Sequence, residues 1–99
     1  MDCGDERFEW DIEKSEDCYR RRHFDFEYAS RVFDSDYYYE EVDERDYGAE
    51  ERNVCVGKID EQYLTVVYTP RRKRKRIISA WVSDDGEVKK YAEYFESAE

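Results

Sequence analysis

Histidine, proline and leucine each occur once in this chain, as His23, Pro70 and Leu64. One imidazole beside three cysteines (Cys3, Cys18 and Cys55) without a C-x-x-C spacing supplies neither a structural zinc site nor a disulfide framework. With leucine almost absent, core volume must come from aromatics, which reach 17% and include ten tyrosines. No apolar run approaches membrane-spanning length. Met1-Asp2-Cys3-Gly4-Asp5-Glu6 lacks a secretory-signal pattern, so the expected location is the cytoplasm. G-x-G-x-x-G, P-loop, G-x-S-x-G, H-E-x-x-H and EF-hand patterns are all missing, and no cofactor or metal is expected. No repeat or low-complexity linker divides the 99 residues, a length that fits one domain with a core over about residues 7–96.

Positive charge is scarce as well: 17 Lys+Arg stand against 27 Asp+Glu, a net charge of −10. Six of those bases are consecutive, Arg71-Arg72-Lys73-Arg74-Lys75-Arg76, which leaves the rest of the chain 11 bases against 27 acids, a balance of −16. Nucleic acid is repelled by such a surface and must approach through the one basic run. In a continuous strand, alternation puts Arg72, Arg74 and Arg76 on one face and Arg71, Lys73 and Lys75 on the other. Guanidinium forks in a row suit phosphate or carboxylate. The run also reads as a solvated hairpin turn and edge strand whose charges block edge pairing.

Hydropathy patterning places the elements. Arg7-Phe8-Glu9-Trp10 alternates as a strand, and Asp11 caps a helix to about Arg22, with Glu13 in its first turn and Arg20, Arg21 and Arg22 in its last. Phe26, Ala29, Val32 and Phe33 sit at helical spacing after Asp25, and Asp34-Ser35-Asp36 ends that helix. Tyr37–Val42 favours a strand, and the acidic stretch from Asp43 to Glu51 reads as a loop. Strands follow at about 51–57, 63–69 and 73–82, with Pro70 marking the last hairpin and Arg71 and Arg72 near its tip. Ser83-Asp84-Asp85-Gly86 breaks the sheet, and Val88, Tyr91, Ala92 and Phe95 form the stripe of a final helix. The order β-α-α-β-β-β-β-α predicts an α+β fold, an antiparallel sheet flanked by two N-terminal helices and one C-terminal helix.

Phe8-Glu9-Trp10-Asp11, Glu13-Lys14, Phe26-Glu27, Ala29 and Val32-Phe33-Asp34 resemble the opening of BrnT-type toxins. The likeness continues through Glu50-Glu51-Arg52, Val66-Val67-Tyr68-Thr69, Arg71, Arg74 and Arg76-Ile77-Ile78-Ser79-Ala80, and closes with Glu87 and Tyr91. It spans about residues 7–92. The resemblance implies a small RelE-like fold, a metal-independent endoribonuclease that inhibits translation, and a small neutralising antitoxin of the BrnA-like, ribbon-helix-helix, DNA-binding kind. Two positions depart from the family pattern. Arg21-Arg22-His23 stands where the family has Lys-His-Gly, moving the imidazole one residue or about 100° around a helix. Ser79-Ala80-Trp81 replaces Ser-Ala-Arg.

Metal-free RNA cleavage needs a base for the 2′-hydroxyl, an acid for the leaving 5′-oxygen and cations around the phosphorus. Arg52, Arg71, Arg74 and Arg76 are the candidates for phosphate, with Arg52, Arg74 and Arg76 in the catalytic set. Arg71, Arg72, Lys73, Lys75 and Arg22 are candidates for RNA capture. Glu87 and Tyr91, spaced i, i+4, are the candidate base and acid, although Glu87 also reads as a first-turn helix acid and Tyr91 as a core aromatic. His23 is either a third acid–base candidate or an idle helix-end histidine. Tyr37, Tyr38 and Tyr39 either stack bases or pack a strand. Three functions fit: an RNA-cleaving toxin, a catalytically weakened interaction protein that keeps the antitoxin-binding surface, and a nucleic-acid-binding module that reads backbone phosphates alone.

Overall fold

The computed structural model describes the backbone of residues 1–43 and 50–97, so most of the acidic stretch read as a loop lies outside it. Strands β1 (Asp2–Gly4) and β2 (Phe8–Asp11) lead into helix α1 (Ile12–Arg22). Helix α2 (Phe26–Ala29) and a 3-10 turn (Ser30–Asp34) follow. Strands β3 (Tyr38–Asp43), β4 (Arg52–Ile59), β5 (Gln62–Arg71) and β6 (Arg74–Val82) form a meander, and helix α3 (Asp85–Ser97) ends the described chain. The α+β class holds. The sheet, however, is mixed rather than antiparallel: its order is β1-β2-β6-β5-β4-β3, and β2 runs parallel to β6. The long helical crossover from β2 brings the chain back beside it in the same direction, a pairing that no tight turn can make. β1, too short and polar to show in the sequence, adds an edge strand against β2.

Local chemistry sets the element ends. The Asp11 carboxylate accepts from the Glu13 and Lys14 amides at 2.8 and 3.4 Å, and Asp25 caps α2 through the Tyr28 amide at 2.8 Å. The single helix expected after Asp25 splits in two, α2 and the 3-10 turn, but still buries Phe26, Ala29, Val32 and Phe33.

One sheet face carries the core. Phe8, Trp10, Cys55, Leu64, Val66, Tyr68, Ile77 and Ala80 point from the strands toward α1, α2 and the 3-10 turn, meeting Cys18, Phe26, Ala29, Val32 and Phe33. Leu64 and Val66 are fully buried, each contributing about 1.5–3 kcal/mol of transfer free energy. Phe33 is the aromatic hub, with Phe8, Tyr38 and Tyr68 rings at 5.3, 5.7 and 5.3 Å.

The opposite face is half covered. α3 lies over the β3–β4 side, held by Tyr91 on Tyr63, Phe95 on Tyr37 and Tyr94 on Tyr39, at ring distances of 5.2, 5.6 and 5.0 Å. Val88, Tyr91 and Phe95 of the expected stripe are half-buried, whereas Ala92 is exposed. Of the tyrosine run, Tyr38 packs on the core face and Tyr39 against Tyr94 of α3, whereas Tyr37 touches Phe95 but stays largely exposed. Toward the β5–β6 hairpin no helix lies over the second face among the described residues.

A β-carbon on Gly57 of β4 would stand 2.8 Å from Val32 Cγ1 and 3.3 Å from Tyr38 Cβ. On Gly86, in the first turn of α3, the nearest neighbour is an Asp84 side-chain oxygen at 3.4 Å. Gly57→Ala should therefore cost about 1–3 kcal/mol in urea unfolding, and Gly86→Ala should be neutral or stabilise by up to about 1 kcal/mol. Equal effects at the two positions would contradict the packing of the 3-10 turn on β4.

Candidate nucleic-acid interface

The basic run folds as a hairpin, which changes the expected pattern of faces. Arg72 (φ 59°) and Lys73 form the tip, and Arg71 pairs with Arg74 across it. Thr69 pairs with Arg76, so alternation along both strands puts Arg71, Arg74 and Arg76 on one face. Arg71 therefore joins Arg74 and Arg76 instead of opposing them, and Arg72 leaves the row for the turn. Lys75 points to the core face, its ammonium 5.6 and 5.5 Å from the centroids of Phe33 and Tyr68, away from the other bases.

The face shared by those three arginines is the part of the sheet that no helix covers among the described residues. Its next row crosses five strands: Glu9 on β2 pairs with Arg76 on β6, Arg76 with Thr69 on β5, and Arg52 on β4 with Asp43 on β3. Arg52 continues the β4–β5 register beside Thr69, so the two arginines flank the buried threonine, each about 5 Å from it across the strands. The four arginines chosen for phosphate contact, Arg52, Arg71, Arg74 and Arg76, thus come together on one surface.

They differ in how they are held. Arg76 Nη1 donates to Glu9 Oε2 at 2.8 Å, and Nη2 donates to Asp2 Oδ1 at 2.9 Å. The Asp2 carboxylate, with Glu9 second, raises the already high pKa of Arg76, and in return Arg76 lowers that of Asp2. Arg52 donates to Glu50 at 3.2 Å. Arg71, Arg72, Lys73 and Arg74 are exposed and make no salt bridge among the described residues, a solvated cationic tip above a paired row. Glu9 and Asp2 were not chosen from the sequence. The alternation of Phe8-Glu9-Trp10 already set Glu9 opposite the core, whereas nothing in the pattern announced Asp2.

Glu87, Tyr91 and His23 do not join this row. Glu87 and Asp84 cap α3 reciprocally, with Asp84 N donating to Glu87 Oε1 at 2.9 Å and Glu87 N to Asp84 Oδ1 at 2.8 Å. The indole of Trp81 also donates to the Glu87 carboxylate at 3.0 Å. Trp81 pairs with Thr65, four residues or about 13 Å along β5 from Thr69. Tyr91 packs on Tyr63, about 20 Å along the strand from Thr69, donates its hydroxyl to the Tyr37 carbonyl at 3.2 Å, and has its pKa raised by burial. His23 is exposed in the left-handed region (φ 66°) as the C-cap of α1. It has left the helix for a position that favours glycine, the residue found there in the family pattern, so its shift is not a turn around the helix.

Arg22 ends α1 and lines a cleft of about 400 Å³ with Lys14, Cys18, Arg21, Ile78 and Ser79. Burial raises the Cys18 thiol pKa, which keeps it from acting as a thiolate. A bulge between Val67 and Tyr68 shifts the β5–β6 register and puts Ser79 on the arginine face, whereas α1, which supplies most of the cleft, packs on the core face through Cys18. No group of three or more His, Cys, Asp or Glu side chains able to hold a metal occurs among the described residues.

These contacts separate capping from chemistry at α3. Glu87→Ala should lower stability by about 1–2 kcal/mol and shift Trp81 fluorescence, through loss of the cap and the indole acceptor. Tyr91→Phe should leave RNA cleavage within about twofold of wild type, since it keeps the ring packing. Loss of activity in a folded Tyr91→Phe protein would place that hydroxyl in the chemistry.

No curated protein matches the chain. The family described as "Ribonuclease toxin, BrnT, of type II toxin-antitoxin system" matches residues 10–87, a span that runs from the end of β2 through the core helices and the whole meander to the start of α3. With most of its length matched in this way, the chain belongs to the BrnT family of ribonuclease toxins of type II toxin–antitoxin systems.

Proposed function

We propose that this protein is a metal-independent endoribonuclease that inhibits translation in the cytoplasm, built as one RelE-like toxin domain over residues 1–99. The observation that carries this reading is the gathering of Arg52, Arg71, Arg74 and Arg76 on one sheet face. Arg71, Arg72, Lys73 and Arg74 capture the RNA backbone by charge. Arg76 and Arg52 receive the scissile phosphate, where fixed guanidinium groups stabilise charge that grows as the 2′-oxygen attacks. Glu9, bonded to Arg76 on this face, takes the 2′-hydroxyl proton, and water on the exposed surface protonates the 5′-oxygen as its bond to phosphorus breaks, leaving a 2′,3′-cyclic phosphate.

The partner is a small antitoxin of the ribbon-helix-helix kind, whose acidic segment covers the same arginines. Elsewhere the chain is too acidic to attract such a segment. A second reading, an antitoxin-binding protein with weakened catalysis, is favoured by His23 on the helix cap and by Trp81 in place of an arginine.

Induced expression tests the first reading against the second. Wild type should arrest growth, and the purified protein should cleave RNA with EDTA present. Arg76→Ala should lower cleavage about 10²-fold and relieve the arrest while remaining folded. A soluble, folded wild type that neither arrests growth nor cleaves RNA, yet binds the antitoxin, would establish the second reading. Reversing charge at Arg74 and Arg76 should abolish RNA and antitoxin binding together, and retained antitoxin binding would separate the two surfaces.

A further inference from the structure

Both terminal nitrogens of Arg76 are occupied, but by partners of unlike tenure. Glu9 sits inside the sheet on β2, directly beside Arg76, with its side chain 16% exposed. Asp2 lies on β1, a strand of three residues that are all exposed and that pairs with β2 alone, and its side chain is 58% exposed. A backbone bond from the Ile12 amide to the Met1 carbonyl at 2.8 Å and one from Asp5 N to the Phe8 carbonyl at 2.8 Å tie down the ends of this strand. Such a short edge belongs to the part of a fold that opens most readily. The two carboxylates outnumber the one guanidinium they hold, so Arg76 itself presents no uncompensated charge to an arriving phosphate. The guanidinium can offer a phosphate oxygen the Nη2 position that it now offers Asp2.

We propose that β1 is an internal plug of the RNA site: the Asp2 carboxylate holds the position of a phosphate oxygen on Arg76 and is displaced when RNA binds. This rests on the reading of the arginine face as an RNA site. Glu9, the proposed base, stays beside the guanidinium, and Asp2 is the exchangeable ligand. The plug lowers affinity for polyanions in general and delays engagement of Arg76 until a strand already captured by the hairpin tip presents a phosphate. The mutual pKa displacements of Asp2 and Arg76 agree with a direct charge-assisted contact.

The test is a fluorescence-anisotropy titration with a short single-stranded RNA whose 2′-O-methyl groups prevent cleavage. Asp2→Asn should tighten binding about two- to fivefold, the range expected on releasing one exposed ion pair. Glu27→Gln changes net charge equally from the exposed surface of α2 and should leave affinity unchanged. The gain from Asp2→Asn should vanish on an Arg76→Gln background. Equal gains from Asp2→Asn and Glu27→Gln, or a gain that survives Arg76→Gln, would overturn the plug and reduce the effect to net charge. Wild-type binding unaltered by Asp2→Asn would overturn the plug alone and leave the RNA site standing. No binding by wild type or by any variant would overturn both.

Discussion

The contact of Arg76 with Glu9 and Asp2 joins the two halves of the sheet. β2 reaches β6 only through a parallel register of three residue pairs, and the central pair is Glu9 with Arg76. On the core side of the same short strand, Phe8 and Trp10 are buried. One alternating tetrapeptide therefore anchors the N-terminal edge to the core and delivers a carboxylate to the arginine face. The ion pair gains strength from this setting: the Arg76 side chain is 18% exposed, unlike the solvated pairs along α1. Breaking it leaves a half-buried charge without a partner, the costly outcome for such pairs.

Acid excess gives the remaining bases their meaning. In a chain of net charge −10, scattered arginines are quickly claimed, as Arg7 is by Asp34, Arg21 by Asp17 and Arg31 by Asp60. The cationic field survives where bases outnumber acids locally, at the β5–β6 hairpin. A two-residue turn is an economical way to hold such a cluster, because the strands spread its charges to several sides while the exposed tip keeps them in water. The paired row below the tip works differently. There the acids fix guanidinium geometry at the expense of free charge, which suits orientation of a bound phosphate better than attraction of a distant one.

Much of this was legible in the sequence, and the failures have physical causes. Asp11 as a cap, the core stripe Phe26, Ala29, Val32 and Phe33, and the four meander strands all follow from local chemistry and periodicity. The parallel β2–β6 pairing does not, because strand direction at a sheet edge is set by the whole intervening chain. The faces of the basic run were misassigned because the turn falls at Arg72-Lys73; reading one strand through a hairpin inverts the side of Arg71. Glu87 and Tyr91 satisfied a helix-face rule, but their distance from Arg76 depends on where α3 crosses the sheet. His23 was placed on a helix that ends one residue earlier. Asp2 sits on a strand too short to carry any pattern, and only the folded register shows that it faces Arg76.

The most direct test of the RNA face is an NMR titration that follows the arginine side-chain Nε–H signals while a non-cleavable RNA strand is added. The account predicts that Arg52, Arg71, Arg74 and Arg76 shift together with the Thr69 amide. It also predicts that Phe24, Ala29 and the cap at His23, across the sheet, stay still. Shifts confined to the end of α1, with the four arginines unmoved, would contradict it.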